Sequence, residues 1–183
     1  MTLRDALLKE FDLESPFTRR SLERVPIEKF SWKPHEKSMT LGWLATFLAM
    51  VPSWGKIVIE QPGLDAGLAA GARPELPTSS QELLAMFDEN YAKLRAALTR
   101  VSNYHLDTPW TLKFKGKVFF TQPRWLALRT FILNHITHHR AQLGVYLRLL
   151  GIPVPAIYNA SADEQGGMFR ESPPASGTAA TAG

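Results

Sequence analysis

Cysteine is absent from all 183 residues. That excludes disulfides, thiolate metal sites and a cysteine nucleophile together. It fits a reducing compartment, and a cytoplasmic protein is expected. A long apolar run is also missing. The longest uncharged stretch, residues 38–55, contains Ser, Thr, Gly and Pro and falls short of the ~20 mostly apolar residues of a membrane span. It reads as a buried helix, and no membrane partner is expected. Charges at Arg4, Asp5, Lys9, Glu10, Asp12 and Glu14 leave no room for the apolar centre of a signal peptide. No single sign of charge dominates. The formal net charge of +4 aids solubility and is not by itself a nucleic-acid signature. No internal repeat is visible.

What remains is an ordinary globular balance of 45% hydrophobic and 21% charged residues, enough for one domain with its own core. Apolar residues at helical spacing predict four helices. The first covers residues 3–24, with a kink or break at Pro16. The second runs from 41 to 51, or past Pro52 with a bend. A loop rich in Gly, Ala and Pro at 61–79 is long enough to run the length of a helix. The third helix covers 80–101. Residues 110–121 alternate Leu112 and Phe114 with Lys113 and Lys115 and turn at Gly116, which predicts a β-hairpin. Pro123 then opens the fourth helix. The domain is expected over residues 1–170, followed by a disordered tail at 171–183 made of Pro, Ala, Ser, Thr and Gly. The fold class is therefore all-α, a four-helix bundle with a small hairpin between helices three and four.

Histidine is scarce, five in all, yet three of the five fall at His135, His138 and His139. On a helix His135 and His139 lie one turn apart on the same side, which is how a helix offers two imidazoles to one metal ion. Stepping ~100° per residue, His139, Leu128, Phe131, Gln142, Tyr146 and Leu149 fall within roughly 40° of His135. This wheel puts the pair on the inward face, His138 on the flank and Arg140 in solvent. Two plain alternatives exist: core histidines bonded to each other or to a carbonyl, and a chance surface cluster. Gln142 could hydrogen-bond a ligand, or simply pack as a buried amide beside Tyr146.

The segment around these residues carries a wider pattern. H-x-x-H-H-R-x-Q spans His135 to Gln142. It is followed by Tyr146-Leu147-Arg148, Pro153-Val154-Pro155 and a close at Ser161-Ala162-Asp163-Glu164. Upstream, Trp32-Lys33-Pro34-His35-Glu36-Lys37-Ser38-Met39-Thr40-Leu41-Gly42 leads into the second helix. Over residues 3–164 the chain resembles the DinB-like family. The resemblance implies an up-down-down-up bundle, a divalent ion on three histidines and, in some members, activation of a low-molecular-weight thiol. It also implies that dimers are common, so a homodimer is expected. It places Asp163 and Glu164 in a structural close, with Asn159-Ala160 departing from the family's Gly-Pro.

One departure matters most. The family's third histidine falls in helix two, at the position of Phe47. A phenyl ring donates no lone pair, so the metal site is expected to be degenerate. His135 and His139 remain as a weak or vestigial metal pair. No tightly bound cofactor is expected, only weak zinc or nickel. The expected function is that of a small-molecule-binding or stress-related protein. Its pocket would be lined by Trp43, Phe47, Met50, Phe131, Gln142 and Tyr146. The alternative is a metal-dependent hydrolase or thiol transferase, with His138, His35, Glu36 or Asp88 as a substitute ligand. His35 and His105 otherwise read as solvent-exposed loop residues. Lys113, Lys115 and Lys117 interleaved with Phe114 and Phe119 could bind single-stranded nucleic acid. A hairpin with a charged outer side and an apolar inner side gives the same pattern, and nucleic acid is not expected as a partner.

Overall fold

The computed structural model describes residues 1–69 and 75–165; the tail expected at 171–183 lies outside them. The chain is mostly helical with one small sheet. Helix α1 spans Leu3–Leu22, α2 Leu41–Glu60, α4 Ser80–Arg100 and α7 Asn134–Leu149, with short helices α3 at Ala66–Ala69, α5 at Asn103–Asp107 and α6 at Arg124–Ala127. Strands β1 (Gly63–Asp65), β2 (Pro109–Phe114) and β3 (Lys117–Pro123) complete it.

Helix starts are set by hydroxyl caps. The Thr2 hydroxyl accepts from the Asp5 amide, and the Asp5 carboxylate accepts back from the Thr2 amide. Thr40 and Ser79 accept from the Trp43 and Glu82 amides in the same way. Two prolines fail to end their helices. Pro16 lies inside α1 and Pro52 inside α2, so of the two readings at each proline the break at Pro16 and the stop near Val51 fall away, and the second helix continues past Pro52. A proline in a helix interior costs about 3 kcal/mol. Leu7, Phe11, Phe17 and Leu22 of α1 are buried, and each is worth about 1.5–3 kcal/mol. Burial on both sides of the proline wins.

The long helices pack α2 on α4, α4 on α1, α1 on α7 and α7 on α2. Leu44 and Leu48, Leu83 and Leu94, Leu7 and Phe11, and Leu143 and Leu147 meet in the core. Gly55 lets α2 approach α4, because a Cβ there would lie 2.7 Å from Leu94 Cδ1. By length and composition α2 could cross a membrane, but 61% of that stretch is buried inside the fold. It is a core helix, as read from the sequence.

The hairpin forms where expected. Lys115 and Gly116 both take positive φ, 50° and 79°, the backbone of a two-residue turn that follows strand twist. The sequence reading missed β1, which pairs in parallel with β2. Arg124 is buried at the junction of sheet and helices. It donates to the carbonyls of Val58 and Gln61 at 2.5 and 2.6 Å and to the Thr108 hydroxyl at 3.0 Å. It thereby serves the carbonyl end of α2. His105 is not a free loop residue: its Nε2 lies 2.7 Å from the Ile59 carbonyl oxygen. After α7 the chain folds back as a strap. Asp163 accepts from Arg148 and the Val154 amide, and Glu164 from Arg20, Arg24 and the Ala156 amide. Both acids are structural.

Candidate functional site

The histidines sit on one long helical run. From Arg124 it continues through α6, then through a wider π-helical stretch at Leu128–Leu133, and into α7. π-Helical turns leave a helix irregular and recur at functional sites. The buried residues of α7 are Ile136, His139, Arg140, Leu143, Tyr146 and Leu147. At ~100° per residue their centre lies roughly 80° from His135. The sequence wheel was therefore centred on the rim of the buried face. Two placements change as a result. Leu149 is 60% exposed, and Arg140 is buried rather than in solvent.

His135 and His139 come together as the spacing implies, with ring centroids 4.7 Å apart. His139 is buried and His135 half-buried. Burial pushes both below the ordinary histidine value. The His139 ring adds to the effect on His135. A charged imidazolium is disfavoured where water is scarce and a second imidazole is adjacent. His139 Nδ1 lies 2.7 Å from Gln142 Oε1. An amide oxygen only accepts, so Nδ1 carries the proton and Nε2 keeps a lone pair. Gln142 thus bonds His139 rather than packing as an idle amide beside Tyr146. His138 is exposed, its ring 4.8 Å from that of His139.

An aromatic shell closes over the pair. Phe47 of α2 lies edge-on to both imidazoles, with centroids at 5.2 Å from His135 and 4.9 Å from His139. Trp43 and Trp54 flank Phe47 at 6.3 and 5.3 Å. Trp54 stacks on Phe131 at 5.7 Å and 11°. Phe131 in turn reaches Trp110 and Phe120 of the hairpin at 5.8 and 6.3 Å. Of the expected lining, Trp43, Phe47, Phe131 and Gln142 gather here. Tyr146 turns to Trp32 at 5.6 Å, and its hydroxyl donates to the Met39 carbonyl. Met50 is half-buried on the same helix as Phe47. Trp54 was missed, although residues 43, 47, 50 and 54 share a helical stripe. The sequence reading left the helix end open between Val51 and a continuation past Pro52, and did not extend the stripe to residue 54.

The side of α7 that faces α1 holds a different arrangement. Arg140 pairs with Glu14 of α1 at 2.7 Å, with both side chains nearly inaccessible. Arg140 also donates to the Thr18 hydroxyl and the Tyr158 hydroxyl, and Tyr158 donates to Glu14 at 2.9 Å. The guanidinium stands over the Phe17 and Tyr158 rings at 5.8 and 5.4 Å. Beside it opens a cavity of about 470 Å³, lined in part by Ala141, Val145, Leu149, Val154 and Ile157.

The donor set does not fit a three-histidine metal centre. Two imidazoles face Phe47, which has no lone pair. Asp88 is held by Arg19 at 3.0 and 3.1 Å, and Glu36 by Lys33 at 2.7 Å. His35 Nδ1 accepts from the Lys37 amide. Among the described residues no group of three or more His, Cys, Asp or Glu side chains could hold a metal ion.

Comparison with known proteins agrees with this architecture. The chain is 24% identical over 176 residues to the uncharacterized protein YrdA of Bacillus subtilis, covering 92% of this chain and 96% of that one. Two solved DinB-like proteins share its fold. One, from Bacillus cereus, has a TM-score of 0.62 at 23% identity, covering 84% of this chain and 97% of its own. The other, YjoA of Bacillus subtilis, has a TM-score of 0.63 at 22% identity with the same coverage. The family model described as the DinB family matches residues 2–168, and the chain belongs to that family.

Proposed function

We propose that this chain is a DinB family bundle whose metal site has become a closed aromatic and imidazole recess for a small uncharged ligand. The ring of contacts among α1, α4, α2 and α7 supports an up-down-down-up four-helix bundle as the scaffold. The observation that carries the reading is Phe47, edge-on to both His135 and His139. It sets a ring without a lone pair edge-on beside both imidazoles, where a third metal ligand would be needed. Burial holds both imidazoles toward their neutral forms. Between these rings a ligand would meet flat apolar surfaces and the lone pair that each neutral imidazole keeps, on His139 at Nε2. That chemistry suits a planar molecule that donates hydrogen bonds.

Phenol is a direct probe. It would be titrated into the protein while the imidazole carbon-bound protons of all five histidines are followed by NMR. Saturable shifts confined to His135 and His139, and lost in Phe47→Ala, are expected. Shifts spread evenly over exposed His35 and His138, or none at all, would overturn the reading.

A further inference from the structure

The hairpin departs from the pattern its sequence suggests. Alternation predicts apolar residues inward and lysines outward. Leu112 and Phe120 do face the core, paired across the strands. Beyond them a bulge at Leu112/Lys113 breaks the register, and the tip turns its apolar residues out. Phe114 is 51% exposed, Val118 61% and Phe119 76%. Lys113, Lys115 and Lys117 are interleaved among them and exposed. Among the described residues none of these lysines joins an ion pair. Leu68, 80% exposed, lines the same recess as Lys113 and Gly116.

The tip is also rigidly presented. Asp65 accepts from the backbone amides of Gly67, Lys115 and Gly116 at 3.0, 2.8 and 2.7 Å. The Gly116 amide is the largest influence holding this carboxyl below its usual range. The acid nearest the tip is thus occupied in bracing the turn rather than in neutralising a lysine. A chain that exposes three large apolar side chains among three unpaired cations carries a cost in water that some partner must relieve.

We propose that the hairpin tip is an interfacial anchor for an anionic lipid surface. Phe114, Val118 and Phe119 enter the boundary between headgroups and acyl chains, while the three ammonium groups meet lipid phosphates and carboxylates. The lysine stems allow each charge to stay at headgroup level as the apolar residues descend. Two other occupants fit less well. Single-stranded nucleic acid needs open ring faces along a basic groove. Here the surface is a convex two-residue turn, Val118 has no π face, and the Lys115 ammonium stands 5.9 Å over the Phe114 ring. A second copy docking tip to tip about a two-fold axis would bring the lysines against their own equivalents. This inference is independent of the recess at His135 and His139.

The test is co-sedimentation of the full chain with vesicles of phosphatidylcholine alone or mixed with phosphatidylserine. Binding to the anionic vesicles only, weakened by salt, is expected. Val118→Ser/Phe119→Ser and, separately, Lys113→Gln/Lys117→Gln should each reduce the bound fraction by about tenfold at fixed lipid, since each removes one of the two attractions. All four residues are exposed, so the circular dichroism melting curve should be unchanged. The proposal is overturned if neither vesicle retains the protein, or if both variants bind like the parent chain. It is equally overturned if oligothymidine binds while vesicles do not. A lipid-free dimer in sedimentation equilibrium that Val118→Ser/Phe119→Ser dissolves would assign the tip to a second copy instead.

Discussion

The two sides of α7 bury polar groups in opposite ways. On the α1 side, Arg140 is charged, paired with Glu14 at 2.7 Å and bonded to the Thr18 and Tyr158 hydroxyls. On the α2 side, His135 and His139 carry no opposite charge, lie 4.7 Å apart and are pushed toward neutrality by burial. The first side resolves burial by pairing, the second by giving up charge. A paired, hydrogen-bonded ion network is rigid, and breaking it strands a charge. A neutral imidazole pair under aromatic rings keeps lone pairs that a ligand could use. Scaffold and site are thus separated on one helix, about a third of a turn apart.

The largest effect is expected from breaking the scaffold side. Arg140→Met should lower stability by about 3–5 kcal/mol, because it leaves the buried Glu14 carboxylate without an opposite charge, with only the Tyr158 hydroxyl donating to it. The double variant Glu14→Leu/Arg140→Met should recover most of that loss. Chemical denaturation of the three chains checks both statements. A similar loss in the single and double variants would mean that packing, not charge pairing, governs this side.

The next effect is on the site side. Phe47→His exchanges a well-packed ring for a polar one and should cost about 2 kcal/mol in metal-free buffer. It also supplies a third imidazole. Zinc at a hundred times its dissociation constant should then return about 2.7 kcal/mol by mass action. Thermal melts with and without zinc would show the two shifts cancelling in Phe47→His, with little zinc response in the parent chain. An equal zinc response in both would dissolve the contrast between the two sides.

Acid should separate the sides as well. The folded-state pKa values of His135 and His139 are lowered, so below about pH 6.5 the unfolded chain takes up protons first. Stability is complete above that value. It falls as pH drops toward the depressed folded values, and this contribution then levels off. The pH dependence should shrink in His135→Phe/His139→Phe, measured by denaturation between neutral pH and pH 5. An unchanged slope would mean that the pair is not protected from protonation. The smallest effect is expected from Gln142→Leu, which removes one hydrogen bond worth about 1 kcal/mol. Its signature is a change of His139 tautomer in the nitrogen chemical shifts.

Much of this was legible from the chain. The i, i+4 spacing of His135 and His139 places the two rings in contact, and the second and third long helices begin at Leu41 and Ser80, where the apolar periodicity put them. The hairpin turns at Gly116. What was not legible depends on long-range packing. Periodicity gives a face but not its centre, so Arg140 looked exposed until Glu14 and Tyr158, remote in sequence, closed over it. Proline rules left two ends open for the second helix, at Val51 or past Pro52, because a local penalty cannot be weighed against burial supplied by α4 and α7; Trp54 was not singled out. Strand β1 has three residues, too few to show alternation.

The central claim is that Phe47 closes the histidine pair against a resident metal ion. The most direct measurement is metal per chain by inductively coupled plasma mass spectrometry, after purification without added metal and brief exposure to a mild chelator. The account predicts far less than one zinc or nickel ion per chain. One ion per chain that survives the chelator would contradict it and return His135 and His139 to the role of metal ligands.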